Sequence, residues 1–220
     1  MILGIYGAGG LGREIYELAL RRNAVSTLWK QILFIDDSND EGNYFGTKRI
    51  QFDALLKIKS ECECVVAVGE PSAREKLFRK LSESGIKLTC LIDPTAIISP
   101  SAEIHNGVII CEYSTIHTGV RLGDNSLIQP FCDIGHDIKV GNHTVLSPYC
   151  VPGGGTIFGD RVFVGLHSAI KESLNIGDDA VVGMGSVVFR DVPAGATVVG
   201  NPARVTKGND EHRVFKSTQI

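Results

Sequence analysis

Residues 122–146 read LGDNSLIQPFCDIGHDIKVGNHTVL, and within them Leu122, Ile128, Ile134, Val140 and Leu146 fall on every sixth position. The same frame runs outward through Ile98, Ile104, Ile110 and Ile116 on one side. On the other it runs through Pro152, Phe158, Val164, Ile170, Ile176, Val182 and Val188. Fifteen of these sixteen positions hold a large aliphatic residue or Phe, and the exception, Pro152, stands beside Gly153-Gly154-Gly155. Four residues after each large residue comes a mostly small one, as in Ala102, Ser114, Ser126, Cys132, Thr144, Cys150 and Ser168.

A period of six matches neither the 3.6 of an amphipathic helix nor the simple alternation of a strand. It matches short flat faces that each send one large and one small side chain inward. Three faces close a triangular turn of eighteen residues, and turns stack at about 4.8 Å. The reading is a left-handed parallel β-helix of roughly five turns from residue 98 to about 192; a sandwich would not hold one frame so long. Gly follows the large residue at Gly123, Gly135, Gly141, Gly159, Gly165, Gly177 and Gly183, where a tight corner is expected to favour a residue without Cβ.

Ahead of the repeats the pattern changes. Ile2–Gly7 reads as a buried strand, and Gly7, Gly9 and Gly12 form G-x-G-x-x-G before a helical stretch at about 13–22. Further strands are expected at 31–35, 64–68 and 88–92, with helices near 52–59 and 71–84. This alternation predicts an α/β Rossmann-like domain with a short parallel sheet. The expected organisation is therefore 1–93 Rossmann-like, 94–205 all-β left-handed β-helix, and 206–220 a polar, mobile tail.

A strand-to-helix turn rich in glycine offers N–H groups to a phosphate, and Asp36 and Asp37 end the second strand where a ribose hydroxyl would sit. With four expected strands there is room for about one mononucleotide-binding half, so a mononucleotide-type site stands against a purely structural glycine turn. A formal net charge of −3, with 21% charged residues, gives no electrostatic reason for nucleic acid or an anionic membrane as partner. The six cysteines show no zinc or redox spacing, no transmembrane run or leader is read, and the expected compartment is the cytoplasm.

Of the six histidines, five lie in the repeats, where most would be solvated positions. His136 stands apart, because it follows Ile134-Gly135 at a corner, precedes Asp137, and lies one turn before the Gly153–Gly155 run. Imidazole suits proton transfer near neutral pH, and a carboxylate beside it would fix its tautomer. His117, one turn earlier, raises a zinc alternative like that of γ-carbonic anhydrases. It occupies a different place in its hexad and a third ligand is missing, so no metal is expected.

Gly7-Ala8-Gly9-Gly10-Leu11-Gly12, Phe34-Ile35-Asp36-Asp37, Ile134-Gly135-His136-Asp137 and Val199-Gly200-Asn201-Pro202-Ala203 together resemble the NeuD/PglD-like sugar acyltransferases, over the chain to about residue 205. The resemblance implies an acetyl-CoA-dependent N-acetyltransferase of a nucleotide-linked 4-amino-4,6-dideoxy sugar, with O-acetylation of sialic acid as the related alternative. It implies His136 as general base and Asp137 as its orienting acid, where many relatives have Glu. The nucleotide would dock at Gly7, Gly9, Gly10, Gly12, Asp36 and Asp37. Acetyl-CoA, the co-substrate, would run along the groove past Gly154, Gly165 and Gly183, with Arg204 and Lys207 toward its phosphates. A homotrimer with sites between neighbouring β-helices is implied as well. Relatives commonly carry a second histidine nine residues after the base, and here that residue is Val145.

Overall fold

The computed structural model describes residues 1–38 and 41–215. The first strand, β1 (Ile2–Tyr6), is buried along its whole length because it lies in mid-sheet, parallel to β2 (Gln31–Ile35) on one side and β5 (Cys62–Val66) on the other. Helix α1 (Gly10–Val25) crosses from β1 to β2, and α3 (Pro71–Glu83) carries the chain from β5 to β6 (Lys87–Leu88). The sheet order is β3-β4-β2-β1-β5-β6. A hairpin, β3 (Gly42–Tyr44) and β4 (Thr47–Ile50), adds an antiparallel edge strand that the sequence reading lacked. Its two-residue turn, Phe45-Gly46, has φ of 50 and 79°, as a hairpin twisted with the right hand requires. Helix α2 (Phe52–Lys57) follows it.

The expected strand at 88–92 divides. Lys87–Leu88 closes the α/β sheet, but Leu91–Ile92 pairs with Ile109–Ile110 and is the first rung of the β-helix. From there two-residue strands recur every six residues and pair in parallel with those eighteen residues on, as in Ile109↔Leu127↔Val145↔Phe163↔Val181. One face keeps this ladder through Ala196–Gly200, which then pairs antiparallel with Ala203–Gly208. The second face breaks between Asp133–Ile134 and Val151–Pro152. Proline has no N–H to give the ladder, yet the coil keeps its register, since Asp133 N–H still reaches Cys150 O at 3.1 Å.

Inside, the large and small columns meet in one apolar core from Val108 to Val198, each fully buried aliphatic side chain contributing about 1.5–3 kcal/mol. The small column also satisfies corner carbonyls: Ser114 Oγ donates to Gln129 O and Thr144 Oγ1 to Gly159 O.

The glycines after the large residues have a different cause from the one expected. None takes a left-handed φ. A Cβ on Gly141 would lie 2.2 Å from Gly159 O, and one on Gly165 2.6 Å from Met184 N, so the position is bare because the next coil passes over it. The left-handed residues come two positions later, three after each large residue. Asn125, Phe131, Asp137, His143, Tyr149, Arg161 and His167 all have φ between 55 and 63°. Each such N–H is secured by the coil before, as in Asp137 N–H to Thr118 O at 2.9 Å and His143 N–H to Asp124 O at 2.8 Å.

The outer surface of the first face is covered by the α/β domain. Leu91, Ile109, Leu127, Val145 and Phe163 share a core with Leu3, Ile15, Leu18 and Phe34. At its rim Arg21 of α1 binds Asp93 at 2.8 Å and Glu112 at 2.9 Å. The tail is not loose where it is described. Thr206–Gly208 belongs to the last strand, and the following residues turn back so that Val214 and Phe215 N–H both reach Glu70 Oε2 at 3.0 Å. Residues 216–220 of the expected mobile tail lie outside the described residues. No described helix is long and apolar enough to cross a membrane.

Candidate active site

Ile134 faces the core, and the chain turns the corner through Gly135, His136 and Asp137. The left-handed backbone at Asp137, φ 58°, bends its carboxylate back toward the preceding side chain. In a strand the two neighbours would point apart; here His136 Nδ1 and Asp137 Oδ2 are 2.9 Å apart. A carboxylate accepts only, so Nδ1 carries the proton and Nε2 presents its lone pair. Among the described residues nothing bonds Nε2, and the imidazole is 69% exposed.

Two glycines on flanking coils make room for this pair. A Cβ on Gly154 would lie 2.6 Å from His136 Nε2, and one on Gly119 would strike the Asp137 carboxylate. In the Gly153–Gly155 run, Gly153 N–H goes to Ile170 O and Gly155 N–H to His136 O, each at 2.8 Å. Gly154 N–H has no partner among the described residues. Gly119 was missed by the sequence reading because its partner, eighteen residues on, is adjacent only once the coil is wound.

Gly165 and Gly183 are not brought to this corner. They sit where the first face meets the second, and the backbone of Gly183 is closed off by Val199 Cγ1, 2.4 Å from where a Cβ would stand. Arg204 is exposed on the last strand, its Nη1 donating to Ala203 O; the Lys207 side chain lies outside the described residues. Val145 is buried in the core shared by the two domains. His117 Nε2 lies 2.8 Å from Asp133 Oδ1, so it and His136 each hold their own carboxylate. The described residues contain no group of three His, Cys, Asp or Glu able to hold a metal.

The glycine-rich turn is a second locus. Gly7 has φ +112°, and a Cβ on Gly12 would lie 2.1 Å from Gly7 O, so both are needed to bring α1 onto β1. Among the described residues nothing lies within 4 Å of a Cβ on Gly9 or Gly10, so none of these residues accounts for their lack of a side chain. Asp36 Oδ2 accepts Ala8 N–H at 3.1 Å. Tyr44 donates to Ala8 O at 2.9 Å and accepts from Arg13 Nη1 at 2.8 Å, and Arg49 stacks on its ring at 4.8 Å. Asp37 turns away to Tyr6, Lys80 and Phe52 N–H. Burial pushes its pKa up, but these donors hold it below the usual carboxylate range; burial, and then the neighbouring Asp37, push the Tyr6 phenol up.

Family models match three segments: the PglD N-terminal domain over residues 3–81, the bacterial transferase hexapeptide over 119–151, and the hexapeptide repeat of succinyl-transferase over 155–190. The acetyltransferase domain of PglB from Neisseria gonorrhoeae, solved with acetyl coenzyme A, is 29% identical, with 93% of this chain and 98% of that one covered and a TM-score of 0.87. The chain thus joins a PglD N-terminal domain to bacterial-transferase hexapeptide repeats, an organisation consistent with the NeuD/PglD-like acyltransferases. Its fold is theirs, an α/β domain followed by a left-handed β-helix. Two further relatives cover 94% of it. WeeI from Acinetobacter baumannii is 29% identical, with a TM-score of 0.87 and all of its own chain covered. PerB from Caulobacter crescentus, solved with CoA and GDP-perosamine, is 28% identical, with a TM-score of 0.85 and 98% of its chain covered.

Proposed function

We propose that this NeuD/PglD-like protein transfers the acetyl group of acetyl-CoA to the amine of a nucleotide-linked 4-amino-4,6-dideoxy sugar. The observation that carries the reading is the His136–Asp137 pair, in which Asp137 holds the Nδ1 proton and leaves Nε2 as the free base. The sugar amine attacks the thioester carbonyl carbon, and the C–N bond forms as the carbonyl becomes an oxyanion. Nε2 of His136 takes the proton that the new bond makes acidic, and Asp137 stabilises the imidazolium. Gly154 N–H, which has no partner among the described residues, is the donor proposed for the oxyanion. Collapse breaks the C–S bond, and the proton leaves with the CoA thiol.

The nucleotide is assigned to the turn at Gly7, Gly9, Gly10 and Gly12, with Asp36, Tyr44, Arg13 and Arg49 around it; PerB, with its bound GDP-perosamine, supports that class of acceptor. Asp37, held by Lys80 and Tyr6, supports the loop rather than the ligand. Gly154 and Arg204 remain the residues proposed toward acetyl-CoA, while Gly165 and Gly183 are explained by coil stacking. The pair at 69 and 71% exposure sits on an open corner, which leaves one wall of a site to a neighbouring β-helix in the homotrimer the resemblance implies. Free thiols throughout and acetyl-CoA as donor suit the cytoplasm. The test is CoA release from acetyl-CoA in the presence of GDP-perosamine and of UDP- and dTDP-linked 4-amino-4,6-dideoxy sugars. Release with at least one amino sugar is expected, and none with any of them would overturn the acceptor class.

A further inference from the structure

Away from the His136 corner, one cluster of polar side chains is fully buried where the domains meet. Arg74 of α3 has no exposed surface and no carboxylate partner. All five of its N–H donors go to carbonyl-type oxygens: Nη1 to Val66 O and Val68 O at 2.8 and 3.0 Å, Nε and Nη2 to Asn125 O at 3.0 and 2.7 Å, and Nη2 to Asn125 Oδ1 at 2.8 Å. Asn125 is a left-handed corner residue of the β-helix, φ 55°. A guanidinium only donates, so it fixes which end of the Asn125 amide faces it. Nδ2 is thereby turned outward, giving one hydrogen to Arg74 O at 3.1 Å and the other to His143 Nδ1 at 3.0 Å.

The chain of donors ends in a constraint on His143. Its Nδ1 has to accept, which demands the neutral ring with the proton on Nε2. His143 is 8% exposed, and Phe78 of α3 stands edge-on to it at 5.3 Å. The charged groups around it are Arg74 and Glu75 from α3, and Asp160 and Arg161 from the next coil. Glu75 is itself bound by Arg79 at 2.7 Å and Arg161 at 3.5 Å. Asp124, one coil earlier, is turned to Asn106 N–H. Burial lowers the His143 pKa, with Glu75 and Asp160 opposing and Arg74 and Arg161 adding to the effect.

We propose that Arg74, Asn125 and His143 form an acid-sensitive latch between α3 and the β-helix, closed when His143 is neutral and opened when it is protonated. A proton on Nδ1 sets N–H against N–H. Flipping the Asn125 amide to relieve it sets Nδ2 against Arg74 Nη2 and Oδ1 against Arg74 O, so the flip loses two bonds where the unflipped amide loses one. The other edge of the junction, α1 with Arg21 on Asp93 and its apolar core, contains no such group and acts as the hinge. If the two-domain transfer proposed above holds, the latch sets the spacing between the nucleotide and His136; the latch itself does not depend on that reading.

The full chain labelled with 15N-histidine should show His143 as the Nε2–H tautomer at about pH 8; an Nδ1–H tautomer overturns the proposal. Hydrogen exchange, corrected for its intrinsic pH dependence, should show protection of α3 and of residues 124–126 falling by up to about tenfold per pH unit below about pH 6.5. Protection of α1 should stay level. His143→Gln, whose side-chain oxygen can accept from Asn125, should abolish that slope. A flat wild-type profile, or an unchanged slope in His143→Gln, sinks the latch. In the CoA-release assay His143→Gln should keep its rate at about pH 8 and lose the acid rise in KM for the nucleotide sugar. Absence of turnover in wild type would count against the proposed function and leave the exchange result to decide the latch.

Discussion

At the scale of single residues, the site rests on how a left-handed corner aims two neighbouring side chains at each other. His136→Ala removes the base and should lower kcat by about 10²–10⁴-fold with the fold intact by circular dichroism. Asp137→Asn keeps a residue that tolerates φ near +58° but no longer dictates the Nδ1–H tautomer; kcat should fall by about 10²-fold with an unchanged melting temperature. Gly154→Ala puts a methyl where the imidazole lies, and the resulting displacement of His136 should cost about 10²-fold although His136 and Asp137 are both kept. The pair itself was legible in the sequence, since hexad spacing located the corner. Its surroundings were not. Gly119 meets Asp137 only through winding, and an arginine in an amphipathic helix reads as solvated, so nothing in the sequence marked Arg74 as a fully buried charge.

At the scale of elements, two kinds of glycine separate. Gly141 is bare because Gly159 O passes 2.2 Å from its Cβ position, whereas Gly185 has φ +68° and open space. Gly141→Ala should therefore destabilise by about 1–3 kcal/mol, and Gly185→Asn, the residue type found at Asn125, should stay within about 1 kcal/mol; urea melts of both variants decide it. The hexad frame revealed the rungs because six is a period no other regular structure shares. The β3–β4 hairpin escaped notice because its strands are short, polar and at the sheet edge, so no alternation marks them, and Tyr44 and Arg49 were missed with it. Leu91–Ile92 was assigned to the wrong sheet because two apolar residues in a row look alike in either setting. Only the pairing with Ile109–Ile110 distinguishes them.

At the scale of the whole molecule, the junction joins a domain with open space at Gly9 and Gly10 to a β-helix that carries the proposed base. Asp93 at that junction has a side chain with no exposed surface. Burial pushes its pKa up, but Thr95 and Arg21 more than offset this and hold it low; Asp37 and Asp179 are lowered likewise. Groups with depressed native pKa values contribute stability that is full above their unfolded values and lost as pH falls through the native ones. Melting temperature should therefore hold at neutral pH and drop below about pH 4. Arg21→Ala should cost about 1–3 kcal/mol at neutrality and make that drop shallower, because Asp93 then has less of a depressed native pKa to lose in acid. The central claim is that one exposed imidazole drives acetyl transfer to an amino sugar. The most direct measurement is CoA release from acetyl-CoA with a nucleotide-linked 4-amino-4,6-dideoxy sugar, wild type against His136→Ala. Wild type should turn over, and the variant should be slower by about 10²–10⁴-fold; equal rates in the two proteins would rule out His136 as the base.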